Sequence, residues 1–245
     1  MPSLPLDGKT AFVTGGARRI GRGIALALAA AGADVAITFL SSSSEATATV
    51  GTIESLGRHT CALPCDLRCE ASVRAAVADA SARLGRLDVL INNAAVFESA
   101  PLDSLTLAQW DRIFETNARG PFLMAREAIP YLRAAQGRIV NIGSLGGLRA
   151  WATHAHYSAS KAALHSLTQS MAKAFAPAVS VNCVAPGWIE LEDDSKDSAA
   201  RFAAKAPMQR NGTLDDVVQA VLFFAASPAF ITGQILAVDG GLSLL

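Results

Sequence analysis

Short apolar runs alternate along the chain with longer stretches in which apolar positions recur at helical spacing. The short runs are bounded by Gly, Pro, Asn, Asp or Ser. They predict strands at Lys9–Thr14, Asp34–Leu40, Thr60–Leu63, Asp88–Asn92, Arg138–Ile142, Ser180–Val184 and Ile235–Val238. The periodic stretches predict helices at Gly21–Ala31, Glu45–Leu56, Ala71–Leu84, Tyr157–Phe175 and Leu214–Ala226. Leu107–Leu132 reads as mostly helical, interrupted at Gly120-Pro121. Strands separated by helices call for parallel pairing with helices on both faces. Right-handed crossovers then give an α/β, doubly wound, Rossmann-like sheet of about seven strands. No repeat or linker divides the sequence, so one domain over residues 1–245 is expected.

Composition narrows the picture. Hydrophobic residues make up 51% and charged ones 17%, which excludes a disordered chain. Lys and Arg number 21 against 21 Asp and Glu, so there is no basic footprint for nucleic acid and no polybasic membrane anchor. The start, Met1 to Gly8, has neither a basic nor an apolar leader region, and no secretory signal is expected. Val217–Val238 is uncharged and long enough to span a bilayer, but Ser227-Pro228, Thr232-Gly233 and Gln234 break it. It is read as a buried helix, a turn and a buried strand. Cys61, Cys65 and Cys69 recur every four residues, yet Pro64 and Asp66 argue against one helical face, and no cluster has metal-ligand spacing. Cysteines of this kind suit a reducing cytoplasm.

The candidate chemistry starts after the first strand. Thr14-Gly15-Gly16-Ala17-Arg18-Arg19-Ile20-Gly21 leads from a strand through a glycine-rich turn into a helix, which sets backbone N–H groups against a diphosphate. An NAD site offers an acid at the end of the second strand to bond the ribose hydroxyls. Here that place reads Phe39-Leu40-Ser41-Ser42, while Arg18 and Arg19 in the turn suit a 2′-phosphate. NADP(H) is therefore expected over NAD(H), with Ser41 and Ser42 beside the phosphate. Tyr157 and Lys161 stand one helical turn apart on one face, where an ammonium would lower the phenol's pKa and prepare it to pass a proton to or from a carbonyl oxygen. Ser144, at the end of the strand before them, can hydrogen-bond the same oxygen.

Thr14–Gly21, Asp66, Asn92-Asn93-Ala94-Ala95, Asn117, Ser144, Tyr157, Lys161, Pro186-Gly187 and Asp239-Gly240-Gly241 stand in the order and spacing of the short-chain dehydrogenase/reductase family, and the resemblance runs through the whole chain. The resemblance implies a one-domain Rossmann fold and hydride transfer between a nicotinamide cofactor and a small carbonyl or alcohol substrate. It implies that Tyr157 is the acid/base, that Ser144 orients substrate, that Lys161 holds the nicotinamide ribose, and that Asn117 supports a water of a proton relay. Gly15, Ile20 and Gly21 of the turn would lie against the diphosphate, with Arg18 and Arg19 toward the 2′-phosphate. Asp66 would meet the adenine, with Asn92 and Ala94 along its ribose and Leu67, Asn93 and Ala95 beside them. Pro186, Gly187 and Ile189 would border the nicotinamide.

Two positions depart from the family pattern. Arg19 replaces a usual glycine, a form similar to pteridine reductases, although those carry Asp where this chain has Ser144. Leu191 stands where a threonine is common. The segment from Gly187 to Gly212 matches the family's substrate lid and is acidic, with Glu190, Glu192, Asp193, Asp194 and Asp197. It reads as a solvated face, and if it meets substrate it would repel an acidic acyl-carrier protein. Phe97, Trp151, His154 and Trp188 are candidates for an apolar pocket beside Tyr157, with His154 and His156 as loop residues without a catalytic part. The expected activity is that of a 3-oxoacyl-reductase-like or general ketone reductase. A pteridine reductase and a non-catalytic NADP-binding sensor or scaffold are the rivals. A homotetramer is expected, because Leu236, Leu242, Leu244 and Leu245 leave an apolar C-terminal end to cover.

Overall fold

The first strand, β1 (Thr10–Val13), is buried at every position, as a parallel strand covered on both faces must be. This is a computed structural model that describes residues 4–191 and 196–245. After β1 come α1 (Arg19–Ala30), β2 (Asp34–Phe39), α2 (Ser43–Ser55), β3 (Thr60–Pro64), α3 (Glu70–Leu84) and β4 (Val89–Asn92). The second half holds α4 (Leu107–Phe114), α5 (Gly120–Ala135), β5 (Arg138–Ile142), α6 (Ala155–Phe175), β6 (Ser180–Pro186), α7 (Lys196–Lys205), α8 (Leu214–Ala226) and β7 (Ile235–Val238). Among the described residues the strands form one sheet of seven in the order β3-β2-β1-β4-β5-β6-β7, and every neighbouring pair is parallel. The predicted strands and fold class are all present.

Each helix buries one stripe. In α1 the buried residues are Gly21, Ile24, Ala25, Leu28 and Ala29, spaced to lie on one side. With α2 and α8 they cover one face of the sheet, packing on Val35, Ile37 and Ile91. On the other face α3, α5 and α6 bring Val73, Val77, Met124, Leu132 and Met171 against Phe12, Leu90 and Ile139. Fully burying a side chain of this size contributes about 1.5–3 kcal/mol. The chain runs outward from β1 to β3 and returns to β4 beside β1, so a crevice opens at the carboxyl ends of β1 and β4.

Three expectations change. Gly120-Pro121 does not interrupt its helix. The irregularity is a π-helical turn over Glu115–Arg119, closed by Gly120 N–H donating to the Glu115 carbonyl; it runs directly into α5, and this widened turn lets Pro121, which has no N–H, sit within a continuous helix. The strand expected to be buried at Ile235–Val238 is the sheet's edge, and Leu236 is 40% exposed. No helix among the described residues is long and apolar enough to cross a membrane. The acidic segment contains α7, which its charge had concealed; Glu190 and Asp197 are exposed, while Glu192, Asp193 and Asp194, like Met1 to Ser3, lie outside the described residues.

Candidate active site

The turn after β1 is built around two glycines that nothing larger can replace. Gly15 has φ +63°, and a Cβ on Gly21 would fall 2.1 Å from the Gly15 carbonyl oxygen. The segment after β4 clamps the turn. Thr14 Oγ1 accepts the N–H groups of Asn93 and Ala94 at 2.9 and 3.0 Å, and Asn93 Nδ2 donates to the Thr14 carbonyl at 2.9 Å. Gly15 N–H donates to Thr38 Oγ1 at 3.1 Å, a part for Thr38 that sequence reading missed. No side chain caps the start of α1, so its first N–H groups face the crevice with their positive dipole end. Arg19 holds φ +51° there, in the left-handed region that favours glycine.

These elements enclose a cavity of about 650 Å3. Of the sequence-predicted cofactor residues, Gly15, Arg18, Arg19, Ile20, Gly21, Ser41, Ser42, Asp66, Leu67, Asn93, Ala94 and Ala95 line it. Pro186, Gly187 and Ile189, at and after the end of β6, and Tyr157 and Lys161, on α6, do not. Asn92 is a correction. Its side chain is buried and donates to Asn141 Oδ1 at 2.8 Å, because strand alternation turns it away from the crevice. Arg68, Arg112, Leu40 and Leu191 join the lining. The Arg68 guanidinium bonds both oxygens of Asp66, at 3.0 and 2.9 Å, and holds that carboxyl below its usual range. Arg112 is paired with Glu98. Arg18 and Arg19 thus stand around a cavity in which Asp66, the one lining carboxylate among the described residues, is neutralised by Arg68, which favours an anionic ligand.

At the end of β5, Ser144 is buried, and its Oγ accepts the Gly146 N–H at 3.0 Å within a short 3-10 turn, Leu145–Gly147. Tyr157 lies in the first turn of α6 and Lys161 one turn on. Lys161 Nζ donates to the Ile142 carbonyl at 2.8 Å and lies 5.8 Å from the centre of the Tyr157 ring. The expected depression of the phenol's pKa is not what the structure shows. Burial pushes the Tyr157 phenol up, and the Ser144 hydroxyl offsets only part of it. Burial also lowers Lys161 to about 8, so its charge is weakened by the same desolvation that raises the phenol.

Asn117 sits in the π turn and is buried. Its Oδ1 accepts the Val96 N–H at 2.8 Å, and its Nδ2 donates to the Val96 carbonyl at 2.9 Å and to Ser160 Oγ at 3.1 Å. The amide is therefore occupied with positioning the β4 loop, and any water it supports must use its main chain. His165 was missed although it lies on the same helix face as Tyr157 and Lys161. Its Nε2 accepts the Ser144 N–H at 3.4 Å, and a Cβ on Gly143 or Gly147 would fall within 2.6 Å of the ring. Burial, then Lys161, lowers His165 to about 4. The glycines around Ser144 are there to admit this neutral imidazole. His156, read as a loop residue, is instead buried in the first turn of α6. Phe97, His154 and Trp151 gather beside Tyr157, whereas Trp188 stacks on Phe202 from α7.

The buried lysine has a measurable cost. Its folded pKa of about 8 lies below the ordinary 10.5, so between those values the unfolded chain holds a proton that the folded chain lacks, and stability rises with pH. A depression of that size corresponds to roughly 3 kcal/mol below pH 8, of which an orphaned Ile142 carbonyl would return about 1–2 kcal/mol. Without added cofactor, Lys161→Met is expected to melt a few degrees above the parent at pH 7, with the gap closing as pH rises past 8. Thermal melts across that range check it; a lower melting temperature at pH 7 contradicts it.

A family model described as Enoyl-(Acyl carrier protein) reductase matches residues 15–243. A 3-oxoacyl-[acyl-carrier-protein] reductase of Staphylococcus aureus is 35% identical, covering 96% of this chain and 98% of its own. A short-chain dehydrogenase/reductase from Serratia marcescens superposes with TM-score 0.93 at 36% identity, over 98% of this chain and 99% of that one. A blue fluorescent protein from a metagenomic library, solved in complex with NADPH, superposes with TM-score 0.91 at 39% identity, covering 97% and 99%. The family model and these relatives each match nearly the whole chain, and the chain belongs to the short-chain dehydrogenase/reductase family.

Proposed function

We propose that the protein is an NADP(H)-dependent reductase of ketones, also able to run as an alcohol dehydrogenase. The observation that carries this reading is the placement of Tyr157, Ser144 and Lys161 at the carboxyl ends of the sheet, on the same side as the arginine-lined cavity. The nicotinamide, when bound, supplies or accepts the hydride. Tyr157 holds the proton for the substrate oxygen, and its raised pKa keeps it protonated at neutral pH, the form that reduction needs. Ser144 hydrogen-bonds the same oxygen and is itself fixed by Gly146 N–H and His165. Lys161, held by Ile142, takes the ribose hydroxyls when its Nζ turns to the crevice.

The rest of the cofactor assignment follows from the same layout. The backbone of Gly15, Ile20 and Gly21 takes the diphosphate, and Arg18, Arg19, Ser41 and Ser42 stand by the 2′-phosphate. Asp66 with Leu67 meets the adenine, while Asn93, Ala94 and Ala95 lie along its ribose. The bridge of Ile189 to Gly212 uses Glu190 N–H and the Trp188 carbonyl, at 2.9 Å each, and leaves the Ile189 amide out of both bonds to face a carboxamide. The NADPH bound by the solved relative supports this choice of cofactor. The enzyme works in the cytoplasm in this reading, and residues 187–212 form its substrate lid. NADPH absorbance in a panel of ketones, with an oxidised pterin included, tests the activity. Oxidation with no ketone overturns it.

A homotetramer belongs to the same reading. Leu244 and Leu245 do not fold back on the core but stay 86% and 64% exposed, and Leu107 on α4 and Phe122 on α5 are 80% and 42% exposed. A light-scattering mass above one chain at micromolar concentration is expected. A mass of one chain removes the oligomer.

A further inference from the structure

The rings beside Tyr157 indicate which carbonyl compounds the site accepts. Phe97 meets Tyr157 edge to face, with centroids 4.8 Å apart and planes at 89°. Phe97 also stacks on His154, at 4.7 Å and 18°, and Trp151 meets His154 edge-on at 5.8 Å. The four rings make one continuous row that begins at the candidate proton donor.

This row is held from several sides. Asn117 bonds both the N–H and the carbonyl of Val96, the residue before Phe97. Three residues after Phe97, Ala100 N–H donates to the Thr153 carbonyl at 2.9 Å, and Ser99 Oγ donates to the same oxygen at 3.3 Å, which ties the Phe97 loop to the loop of Trp151 and His154. Phe97 is nevertheless 59% exposed. A phenylalanine clamped in place and left open adds little to the core; its free face is available to a ligand.

Building on the reductase reading above, we propose that this row selects aryl ketones, with the substrate's flat ring on the open face of Phe97 and its carbonyl oxygen at Tyr157. Ring pairs favour offset or edge-on contact at centroid separations of about 4.5–7 Å. In an aryl ketone the carbonyl is bonded directly to the ring, so stacking sets the position of the reacting carbon. A flexible acyl chain gains no such registration. During reduction the carbonyl carbon receives the hydride, the carbonyl π pair takes the Tyr157 proton, and the products are the aryl carbinol and the oxidised cofactor. His154 stays neutral at physiological pH, because burial lowers its pKa, and the row presents no charge to an apolar substrate.

The test compares α-tetralone, its saturated counterpart α-decalone and the open-chain ketone ethyl acetoacetate, each reduced with NADPH. Conjugation makes the aryl ketone the least electrophilic of the three, so intrinsic reactivity works against the expected result. The expected kcat/KM for α-tetralone exceeds that for α-decalone by about three- to tenfold. Phe97→Ala is expected to lower the α-tetralone to ethyl acetoacetate ratio of kcat/KM by about tenfold, chiefly through KM, and Phe97→Trp to retain it. Equal use of α-tetralone and α-decalone, or a ratio unmoved in Phe97→Ala, overturns the aryl-ketone proposal and leaves carbonyl reduction standing. Turnover of none of the three overturns the reductase reading, and this proposal with it.

Discussion

Tyr157→Phe is expected to lose about 10²–10⁴-fold in ketone reduction, the usual contribution of a positioned acid. Cofactor affinity should stay within a few-fold, because the ring keeps its contact with Phe97 and only the hydroxyl goes. Direction matters as well. Burial raises the phenol's pKa, so the protonated form that reduction needs persists through neutral pH, whereas alcohol oxidation needs tyrosinate and should climb with pH into the alkaline range. Initial rates in both directions across pH check this. A variant that keeps more than about a tenth of the parent rate, far above that range, would remove Tyr157 from the mechanism.

The second large effect is cofactor choice. NADPH is expected to bind at least about tenfold tighter than NADH, since one charge-assisted contact to phosphate is worth roughly 1.5–3 kcal/mol, or about ten- to a hundredfold. Arg19 allows a clean experiment. At φ +51° it occupies a conformation that costs a non-glycine residue about 1–2 kcal/mol. Arg19→Gly removes the guanidinium and that strain together, so the preference should fall while the melting temperature does not. Loss of preference with stability intact separates a phosphate contact from damage to the turn. Leu40 lines the cavity and is 65% exposed, and Leu40→Asp should push the enzyme toward NADH by adding a ribose acceptor that repels the phosphate. Titration with both cofactors decides: equal affinities in the parent would mean that neither arginine reaches the phosphate.

The sequence carried the architecture because a strand buried on both faces has to be apolar along its length and a helix packed on a sheet has to be apolar on one stripe. Those periods place β1 to β7 within a few residues, and they place the glycine-rich turn at a strand end, where Gly21 has no room for a Cβ. Positions fixed by a local pattern, such as Gly15 in the turn and Tyr157 and Lys161 one helical turn apart on α6, were legible for the same reason. What stayed hidden depends on distance in space. Thr38 binds Gly15 across 23 residues, Asn117 clamps Val96 across 21, and His165 supports Ser144 across 21. The protonation of the centre was hidden too. Spacing puts Lys161 beside Tyr157 and suggests an acidified phenol, but only tertiary packing sets how much water either group keeps, and here desolvation of the phenol outweighs the Ser144 hydrogen bond that opposes it. The sequence by itself determined the sheet and the glycine-rich turn, because local periodicity and backbone sterics enforce them. The tertiary structure decided which side chains meet and how strongly each is desolvated, because both depend on neighbours far away along the chain.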